Sequence, residues 1–272
     1  MRLAVLGSPI AHSLSPTLHR AAYRVLGLDW EYGSSDVTGD SLAAFIESRD
    51  DSWRGLSLTM PLKRDVLPLL TTRSALVDQT GSANTVLFDG ASRHGFNTDV
   101  YGITASFERH HRPNLPTVLI LGGGATASSA IVAAAELGAR RIMLGVRSPD
   151  RANGLLGVAS AQGIDLELRT LDQLIDIDER VDAVISTLPN GAETDIRFDP
   201  DSIGTAVLLD VGYHPWPTTL ASAWTGDDVI GGLEMLSLQA LAQVRIFVAR
   251  DPHATLANED DVLAAMLDAV GL

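Results

Sequence analysis

Two charged residues have the types and the local context that proton transfer requires. Lys63 lies just after Pro61, where a short apolar strand ending at Thr59 gives way to a helix. The amino end of a helix is positive, which is unfavourable for a lysine. A lysine there either points into solvent or is retained because it has a function. Asp99 precedes a second helix, which it could simply cap. A lysine positioned by a carboxylate can also act as a general acid and base. The sequence leaves these alternatives open.

A glycine-rich turn at 122–124 is the second chemical feature. The uncharged run 117–121 before it is typical of a strand buried on both faces, and the apolar run 125–137 after it indicates a helix. Gly122-x-Gly124-x-x-Ala127 fits a dinucleotide-binding turn. Gly122 permits the tight turn, Gly124 lets the backbone approach a pyrophosphate, and Ala127 allows close helix–strand packing. Such turns also occur without a ligand.

The type of nucleotide is indicated by Arg147 and Arg151. Arg147 ends the predicted strand 141–146, and Arg151 lies near the start of the next helix. An acidic residue about 20 positions after the glycine turn binds the ribose hydroxyls of NAD, whereas an arginine accommodates the 2′-phosphate of NADP. No acidic residue ends this strand, so the sequence predicts NADP.

A pair of serines near the amino terminus could bind an anion. Ser15 followed by Pro16 is typical of a helix cap and first turn, and apolar residues follow at helical spacing. Ser13 and Ser15 together, beside unpaired helix N–H groups, would also suit a carboxylate. His12 and His19 have no acidic or cysteine partner at ligand spacing, so we interpret them as structural or surface residues and expect no metal site.

These residues are positioned by alternating strands and helices, which predict an α/β first domain up to residue 100. A hairpin turns at Asp89-Gly90, and the polar, proline-bearing segment 109–116 leads into the glycine turn. Further strands are predicted at 165–168, 183–187, 206–211 and 229–230. A long helix, 233–248, carries Gln239 beside its apolar face, where a glutamine commonly serves only solubility or capping. A last helix covers 259–267.

The composition of the chain argues against several classes of protein. The 272 residues carry a net charge of −14 with no compensating basic stripe, which argues against a nucleic-acid binder. The absence of cysteine excludes disulfides and thiolate metal sites. We see no signal peptide and no apolar run that would span a bilayer, so we expect a cytoplasmic protein.

Seven segments of the chain form an ordered set. They are His12-Ser-Leu-Ser-Pro16, Leu58-Thr-Met-Pro-Leu-Lys63, Gly81-Ser-Ala-Asn-Thr85, Asn97-Thr-Asp99, the glycine turn, Asp210-Val-Gly-Tyr213 and Gly232-Leu-Glu-Met-Leu-Ser-Leu-Gln239. In this order the segments resemble the shikimate dehydrogenase family, and the resemblance covers residues 3 to about 245.

The resemblance implies an α/β protein of two domains. Residues 1–100 and 240–272 would form a substrate domain, and residues 101–239 a Rossmann-type NADP-binding domain. The implied activity is NADP-dependent interconversion of 3-dehydroshikimate and shikimate by hydride transfer, in the pathway to chorismate and the aromatic amino acids. A homodimer is expected at the level of the family, and neither nucleic acid nor membrane is expected as a partner.

The resemblance also implies roles for individual residues. Lys63 and Asp99 would be the catalytic pair. Residues that would hold the substrate carboxylate are Ser13, Ser15 and Tyr213. Residues that would surround the ring hydroxyls, together with Lys63, are Thr59, Asn84, Asp99 and Gln239. Residues that would line the cofactor are Gly122, Gly123, Gly124, Ala125, Thr126, Arg147, Ser148, Arg151, Val211 and Gly232.

The chain departs from the family pattern at four places. Ser57 stands where an asparagine is usual, and a shorter donor there would alter the grip on a ring hydroxyl. Val146 replaces the usual asparagine before the cofactor arginine, which would remove one adenosine contact. The glycine turn reads GGGAT where GAGGA is common, and Ile185-Ser-Thr187 replaces asparagine-alanine-threonine. None of these changes removes a catalytic group.

Three other functions compete with this interpretation. A quinate/shikimate dehydrogenase that uses NAD is disfavoured by Arg147 and Arg151, although the arginines say little about quinate. Methylenetetrahydrofolate dehydrogenase shares the two-domain plan, but the paired serines and segment 97–99 fit shikimate better. A non-catalytic NADP-binding sensor on the same scaffold is disfavoured because Lys63 and Asp99 are both retained.

Overall fold

The computed structural model describes residues 1–174, 176–177 and 179–272, with the side chains of all of these except residues 151, 176, 177 and 200. The chain forms two units. Unit 1 comprises Met1–Gly102 and Leu236–Leu272, and unit 2 comprises Ile103–Met235. The boundaries predicted from sequence, after residues 100 and 239, lie two and four residues from those of the structure, after residues 102 and 235. Gln239 therefore belongs to unit 1, with Lys63, and not to the unit predicted to bind the nucleotide.

The strands in chain order are β1 (Arg2–Gly7), β2 (Glu31–Asp36), β3 (Trp53–Leu58), β4 (Thr72–Arg73), β5 (Thr85–Asp89), β6 (Ser92–Phe96), β7 (Thr117–Leu121), β8 (Arg141–Val146), β9 (Asp165–Thr170), β10 (Asp176–Ile177), β11 (Ala183–Ser186), β12 (Arg197–Phe198), β13 (Val207–Asp210) and β14 (Asp228–Gly231).

The helices are α1 (Ser15–Val25), α2 (Gly39–Glu47), α3 (Leu62–Asp65), α4 (Ala75–Thr80), α5 (Asp99–Arg109), α6 (Ala125–Glu136), α7 (Pro149–Ala161), α8 (Pro200–Ile203), α9 (Thr219–Ser222), α10 (Gly232–Ala249) and α11 (Glu259–Asp268). Short 3₁₀ turns cover Leu67–Leu69 and Leu171–Leu174.

Unit 1 is built on one mixed sheet with a core on each face. Its strand order is β2-β1-β3-β5-β6-β4, and the predicted hairpin β5–β6 is antiparallel. Alternate residues of β1 belong to different cores, as the two-residue period of a strand requires. Leu3 and Val5 pack with apolar residues of α1, α10 and α11, whereas Ala4 and Leu6 pack with residues of α2 and α3.

Strand direction brings four segments of unit 1 to one edge of this sheet. β1 and β3 are parallel, so both end at that edge. β5 is antiparallel to both β3 and β6, so β5 begins there and β6 ends there. The segments that follow β1, β3 and β6, and the residue that precedes β5, therefore meet. These segments carry the predicted serines, Lys63, Asn84 and Asp99.

Unit 2 contains a six-stranded parallel sheet of order β14-β13-β11-β7-β8-β9. Starting from β9, this is the 3-2-1-4-5-6 order of a Rossmann fold, with the direction of winding reversing between β7 and β11. Strands β11 and β13 are fully buried and β7 and β8 nearly so, which their runs of Val, Ile and Leu predict. Ligands bind at such a reversal, beyond the carboxyl ends of the strands.

The elements that the sequence analysis omits are short. They are β4, α4, α8, α9 and the two-stranded sheet formed by β10 and β12. Elements of two to six residues are too short to establish a hydrophobic period.

Helix α10 differs from the expectation that no apolar stretch of the chain is long enough to span a bilayer. Its 18 residues are long and apolar enough to cross a bilayer by length and composition, but 67% of that stretch is buried within the protein. This burial is typical of a core helix, and Leu241 and Val244 lie in the core of unit 1.

His19 confirms the structural role predicted for it. Its ring is fully buried and stacks on Tyr32 with 4.0 Å between ring centroids. Its Nδ1 lies 3.1 Å from the Tyr23 hydroxyl and its Nε2 lies 3.1 Å from Gln243 Oε1. Burial lowers the pKa of His19 to about 3, although the hydrogen bond to Gln243 acts in the opposite direction.

This buried histidine predicts a loss of stability in mild acid. An unfolded histidine has a pKa of about 6.5, so from there down to about pH 3 the unfolded chain binds a proton that the folded chain does not. The His19 contribution is fully present above pH ~6.5 and is lost below it, by up to ~1.4 kcal/mol per pH unit. Urea unfolding of the parent and of His19→Gln at pH 7.5 and pH 5 measures this difference.

Between these two pH values we expect the parent to lose about 2 kcal/mol more free energy of unfolding than His19→Gln. His12→Gln, which changes an exposed histidine, serves as the control and should follow the parent. Equal losses in the parent and in His19→Gln would contradict a neutral, buried His19.

Candidate active site

Lys63 and Asp99 form a buried ion pair at the sheet edge of unit 1. Lys63 Nζ lies 2.5 Å from Asp99 Oδ2, and the side chains are only 12% and 5% exposed. Lys63 is in the single turn of α3 that follows β3, and Asp99 is the first residue of α5. The alternative in which Lys63 points into solvent is therefore wrong.

Asp99 is available to Lys63 because another residue caps α5. The Asn97 carboxamide oxygen accepts hydrogen bonds from the backbone N–H groups of Asp99 and Val100, at 3.0 and 3.4 Å. The Asn97 amide nitrogen is anchored to Thr80 Oγ1 and to the carbonyl of Ser82. The interpretation of Asp99 as a simple helix cap is therefore wrong.

Asn84 fixes the second oxygen of the same carboxylate. Its Nδ2 donates to Asp99 Oδ1 at 2.8 Å and to Thr98 Oγ1 at 2.9 Å. Its Oδ1 accepts from the Thr98 backbone N–H at 2.9 Å. Since Oδ2 of Asp99 faces Lys63 while Oδ1 faces Asn84, the carboxylate is held in one plane. Hydrogen bonds to an ionised carboxylate are stronger than neutral ones.

Gln239 belongs to this buried cluster. It is 6% exposed, and its Oε1 accepts hydrogen bonds from Thr98 Oγ1 at 3.2 Å and from Asn84 Nδ2 at 3.3 Å. Its Nε2 donates to the carbonyl of Leu236 in its own helix. A glutamine that served only solubility would be exposed, so that alternative is wrong for Gln239.

Thr59 links the end of β3 to the turn that carries Lys63. Its N–H donates to the carbonyl of Leu6 at 2.9 Å, and its own carbonyl accepts from the N–H of Leu62 at 2.8 Å. Gly7 allows this close approach, because an added Cβ there would lie 2.9 Å from the carbonyl oxygen of Met60.

The serine pair lies at the start of α1, but not as a helix cap. Leu14 is the capping residue and has nearly helical angles, so Ser15 lies inside the first turn. The interpretation of Ser15 as the cap is therefore wrong. The Ser15 N–H donates to Ser13 Oγ at 3.4 Å. Ser15 is 6% exposed, and its hydroxyl has no hydrogen-bond partner among the described residues, which leaves it able to bind a ligand.

The glycine turn of unit 2 has the geometry predicted for it. Gly122 has a φ of +113°, and an added Cβ would meet the hydroxyl and carbonyl of Thr187. Gly124 caps α6, and an added Cβ there would meet only open space. Ala127 is fully buried. Gly123, Ala125 and Thr126 lie in the same turn, at the start of a 12-residue helix whose N–H groups suit an anion.

Arg147 follows β8 and is exposed, with no ion pair within the described part of the chain. Ser148 caps α7 without a side-chain hydrogen bond to it. The Arg151 side chain lies outside the described residues. Val146 is 3% exposed, and its Cγ1 would lie 3.3 Å from a Cβ added at Gly123. The valine therefore supports the glycine turn by packing.

Two other predicted cofactor residues, far apart in sequence, are adjacent in unit 2. A Cβ at Gly232 would overlap the carbonyl of Val211 and lie 2.8 Å from that of Gly212. The N–H of Val211 donates to the carbonyl of Ser186 at 3.0 Å. Tyr213 belongs to the same segment, and burial raises the pKa of its hydroxyl above the ordinary value. Its contact with the substrate carboxylate stays a prediction.

Residues that support the site were missed by the sequence analysis. Thr98 bridges Asn84 and Gln239, and Thr85 donates to Asn84 Oδ1 at 2.8 Å. Gln243 is 2% exposed and contacts both Asn84 and Thr85. It lies four residues after Gln239, which places both glutamines on one face of α10. That spacing is the signal that could have identified it.

Comparisons with known proteins agree with this arrangement. Residues 5–86 match a family model described as the shikimate dehydrogenase substrate binding domain. A shikimate dehydrogenase (NADP(+)) of Ignicoccus hospitalis is 30% identical over 93% of this chain and 95% of its own length. One of Citrifermentans bemidjiense is 32% identical over 91% and 90%.

The chain belongs to the shikimate dehydrogenase family. Among solved structures, the shikimate dehydrogenase of Mycobacterium tuberculosis is 32% identical, with a TM-score of 0.81 over 98% of this chain and 99% of that one. The Thermus thermophilus enzyme, solved with NADP(H) and shikimate, is 27% identical with a TM-score of 0.82 over 99% of both chains. The predicted family and fold class are confirmed.

The fold alone does not select the substrate. A 5-ketofructose reductase of a Gluconobacter strain has a TM-score of 0.81 to this chain at 22% identity. The assignment of function therefore depends on the family membership and on the residues of the site.

Cofactor choice can be tested at Arg147. Its replacement by alanine should raise the Michaelis constant for NADP about ten- to a hundredfold, because a charge-assisted phosphate contact contributes roughly 1.5–3 kcal/mol. The Michaelis constant for NAD should stay nearly unchanged. Arg140→Ala removes an exposed arginine just before β8, at the opposite end of that strand, and serves as the matched control.

Steady-state kinetics with both cofactors provide the measurement. Equal losses with NADP and NAD would mean that Arg147 does not contact the 2′-phosphate.

Proposed function

We propose that this chain interconverts 3-dehydroshikimate and shikimate by NADP-dependent hydride transfer. The observation that carries the proposal is the buried Lys63–Asp99 pair, whose carboxylate also accepts a hydrogen bond from Asn84, in a family that performs this reaction. Oxidising a secondary alcohol requires a hydride acceptor and a base for the hydroxyl proton. NADP, when bound, supplies the hydride acceptor.

Lys63 is proposed as the proton-transfer group. In alcohol oxidation its neutral amine takes the hydroxyl proton, and in ketone reduction its ammonium returns a proton to the oxygen, as microscopic reversibility requires. Asp99 Oδ2 accepts a hydrogen bond from Lys63 Nζ and so fixes the position of the nitrogen at the site. Burial of the pair excludes water that would otherwise compete for the proton.

Substrate binding is proposed to use the other polar groups of unit 1. The Ser15 hydroxyl and Ser13 would hold the carboxylate at the start of α1. Thr59, Asn84 and Gln239 would contact ring hydroxyls together with the catalytic pair. Support comes from the burial of Ser15, Asn84 and Gln239, and from the sheet edge shared by the segments that carry Ser15 and Asn84.

Cofactor binding is proposed for unit 2. Residues 122–126 would cradle the pyrophosphate, since Gly124 leaves open space and the α6 N–H groups lie beside it. Arg147 would bind the 2′-phosphate, aided by Ser148 and Arg151. Val211 and Gly232, which are adjacent to each other, would also line the cofactor. A cytoplasmic location and a homodimer are part of the same proposal.

A simple assay tests the proposed function. The protein, NADP and shikimate are mixed, and the absorbance of the reduced nicotinamide is followed, with quinate and NAD as alternative reactants. We expect turnover with shikimate and NADP. Preferred use of quinate or of NAD would support the related quinate/shikimate activity. Tight NADP binding without turnover of either acid would favour a sensor.

Replacing Lys63 with alanine tests its assigned role. A positioned acid–base group contributes about a hundred- to ten-thousandfold, so turnover should fall by that factor. NADP affinity, which we assign to unit 2, should stay unchanged. Added methylamine should restore part of the activity, because it supplies the missing amine. Arg64→Ala changes the neighbouring exposed cation and serves as the control.

Turnover of Lys63→Ala within about threefold of the parent would show that Lys63 does not transfer the proton. Circular dichroism of each variant checks that the change in rate is not a loss of folded protein.

A further inference from the structure

We infer that Gln243 is a positioning residue for the reaction, acting through Asn84 on the Asp99–Lys63 pair. The inference rests on the proposed function and extends it to a residue that has no predicted contact with substrate or cofactor. Gln243 lies on α10, is 2% exposed, and makes hydrogen bonds through both ends of its carboxamide.

The amide nitrogen of Gln243 faces the catalytic cluster. Nε2 donates to the carbonyl of Asn84 at 3.2 Å and to Thr85 Oγ1 at 3.0 Å. Thr85 Oγ1 in turn donates to Asn84 Oδ1 at 2.8 Å. Gln243 thus holds Asn84 both at its backbone and, through Thr85, at its side chain.

The amide oxygen of Gln243 faces a second set of polar groups. Oε1 accepts from Ser57 Oγ at 2.7 Å and lies 3.1 Å from His19 Nε2. Ser57 Oγ accepts from the Tyr32 hydroxyl at 2.6 Å. Because Oε1 can only accept, His19 carries its proton on Nε2, and its Nδ1 accepts from Tyr23.

This arrangement gives the Gln243 carboxamide a single orientation. Rotating it by 180° would place its oxygen against the carbonyl oxygen of Asn84, and neither of these atoms can donate a hydrogen bond. Buried donors and acceptors without partners are costly, so the reversed orientation is excluded. Asn84 therefore presents Oδ1 to Thr85 and Nδ2 to Asp99 Oδ1, and Asp99 presents its other oxygen to Lys63.

The same network explains one departure from the family pattern. Ser57 is 3% exposed, and its hydroxyl is engaged with Tyr32 and Gln243. The residue that stands where the family has an asparagine thus contributes to the orientation of Gln243. Its role in this chain is to connect the interior of unit 1 with the catalytic cluster.

The test compares Gln243→Met with the isosteric control Tyr32→Phe. Methionine is similar in length but removes both hydrogen-bonding ends, whereas Tyr32→Phe removes a hydroxyl at the far end of the network and leaves Asn84 and Thr85 untouched. Gln243→Met should lower kcat about ten- to a hundredfold, because a displacement of under 1 Å at the reacting groups has effects of that order. Its Michaelis constant for NADP should stay within about twofold of the parent, and Tyr32→Phe should keep kcat within about twofold.

Two further variants separate positioning from general destabilisation. In a Lys63→Ala background, Gln243→Met should cause no further loss of kcat, because the group that it positions is absent. Thr85→Val removes only the hydroxyl between Gln243 and Asn84, so it should reproduce part of the loss even if Gln243→Met does not fold.

The outcomes distinguish failure of the proposed function from failure of the inference about Gln243. A parent with no turnover of shikimate would overturn the proposed function and this inference together. An active parent with unchanged kcat in Gln243→Met, or in Thr85→Val if only that variant folds, would overturn the inference alone. An equal loss of kcat in Tyr32→Phe, or a further loss in the Lys63→Ala background, would show that the network is merely structural.

Discussion

A lysine ammonium and an aspartate carboxylate can be held out of water at this sheet edge only because the surrounding groups compensate for the lost hydration. Desolvating an ion pair costs several kcal/mol per ion, and the Coulombic attraction offsets this cost only when good geometry and further hydrogen bonds are present. Lys63 and Asp99 satisfy both conditions, since the carboxylate also accepts from Asn84. The rest of unit 1 can be understood as the structure that supplies these conditions.

Three levels of the fold position the Lys63–Asp99 pair. The strand directions of β3, β5 and β6 bring Lys63, Asn84 and Asp99 together from positions up to 36 residues apart. The caps and turns then set local geometry, with Asn97 taking over the capping of α5. Finally, α10 presents two glutamines one turn apart towards Asn84, so a buried helix completes the site.

Much of this could be predicted from sequence. Uninterrupted runs of Val, Ile and Leu predict the buried strands of unit 2. The glycine turn predicts a strand before it and a helix after it. Lys63, Asp99 and Asn84 were assigned through the family resemblance, and the structure brings them into hydrogen-bonding contact. Long elements and ordered motifs are thus visible in a single sequence.

The rest depends on contacts between distant segments. Ser15 followed by proline predicts a cap, but Leu14 adopts nearly helical angles and takes that position. Lysine and glutamine are most often exposed, so composition favours solvent for Lys63 and Gln239, whereas partners 36 and 155 residues away in sequence bury them. Gln243 was missed because its partners lie on β3, β5 and α1. A local pattern, such as the four-residue spacing of Gln239 and Gln243, can place residues on one helix face, but it does not show which distant residues they contact.

We propose that Lys63 and Asp99 act as one catalytic unit. A double-mutant cycle on the single-turnover rate of shikimate oxidation, with Lys63→Ala, Asp99→Ala and the double variant, tests it most directly. We expect the double variant to be within about threefold of Lys63→Ala alone, because groups that act as a unit are non-additive. A double variant slowed by the product of the two single effects would show that Lys63 and Asp99 act independently.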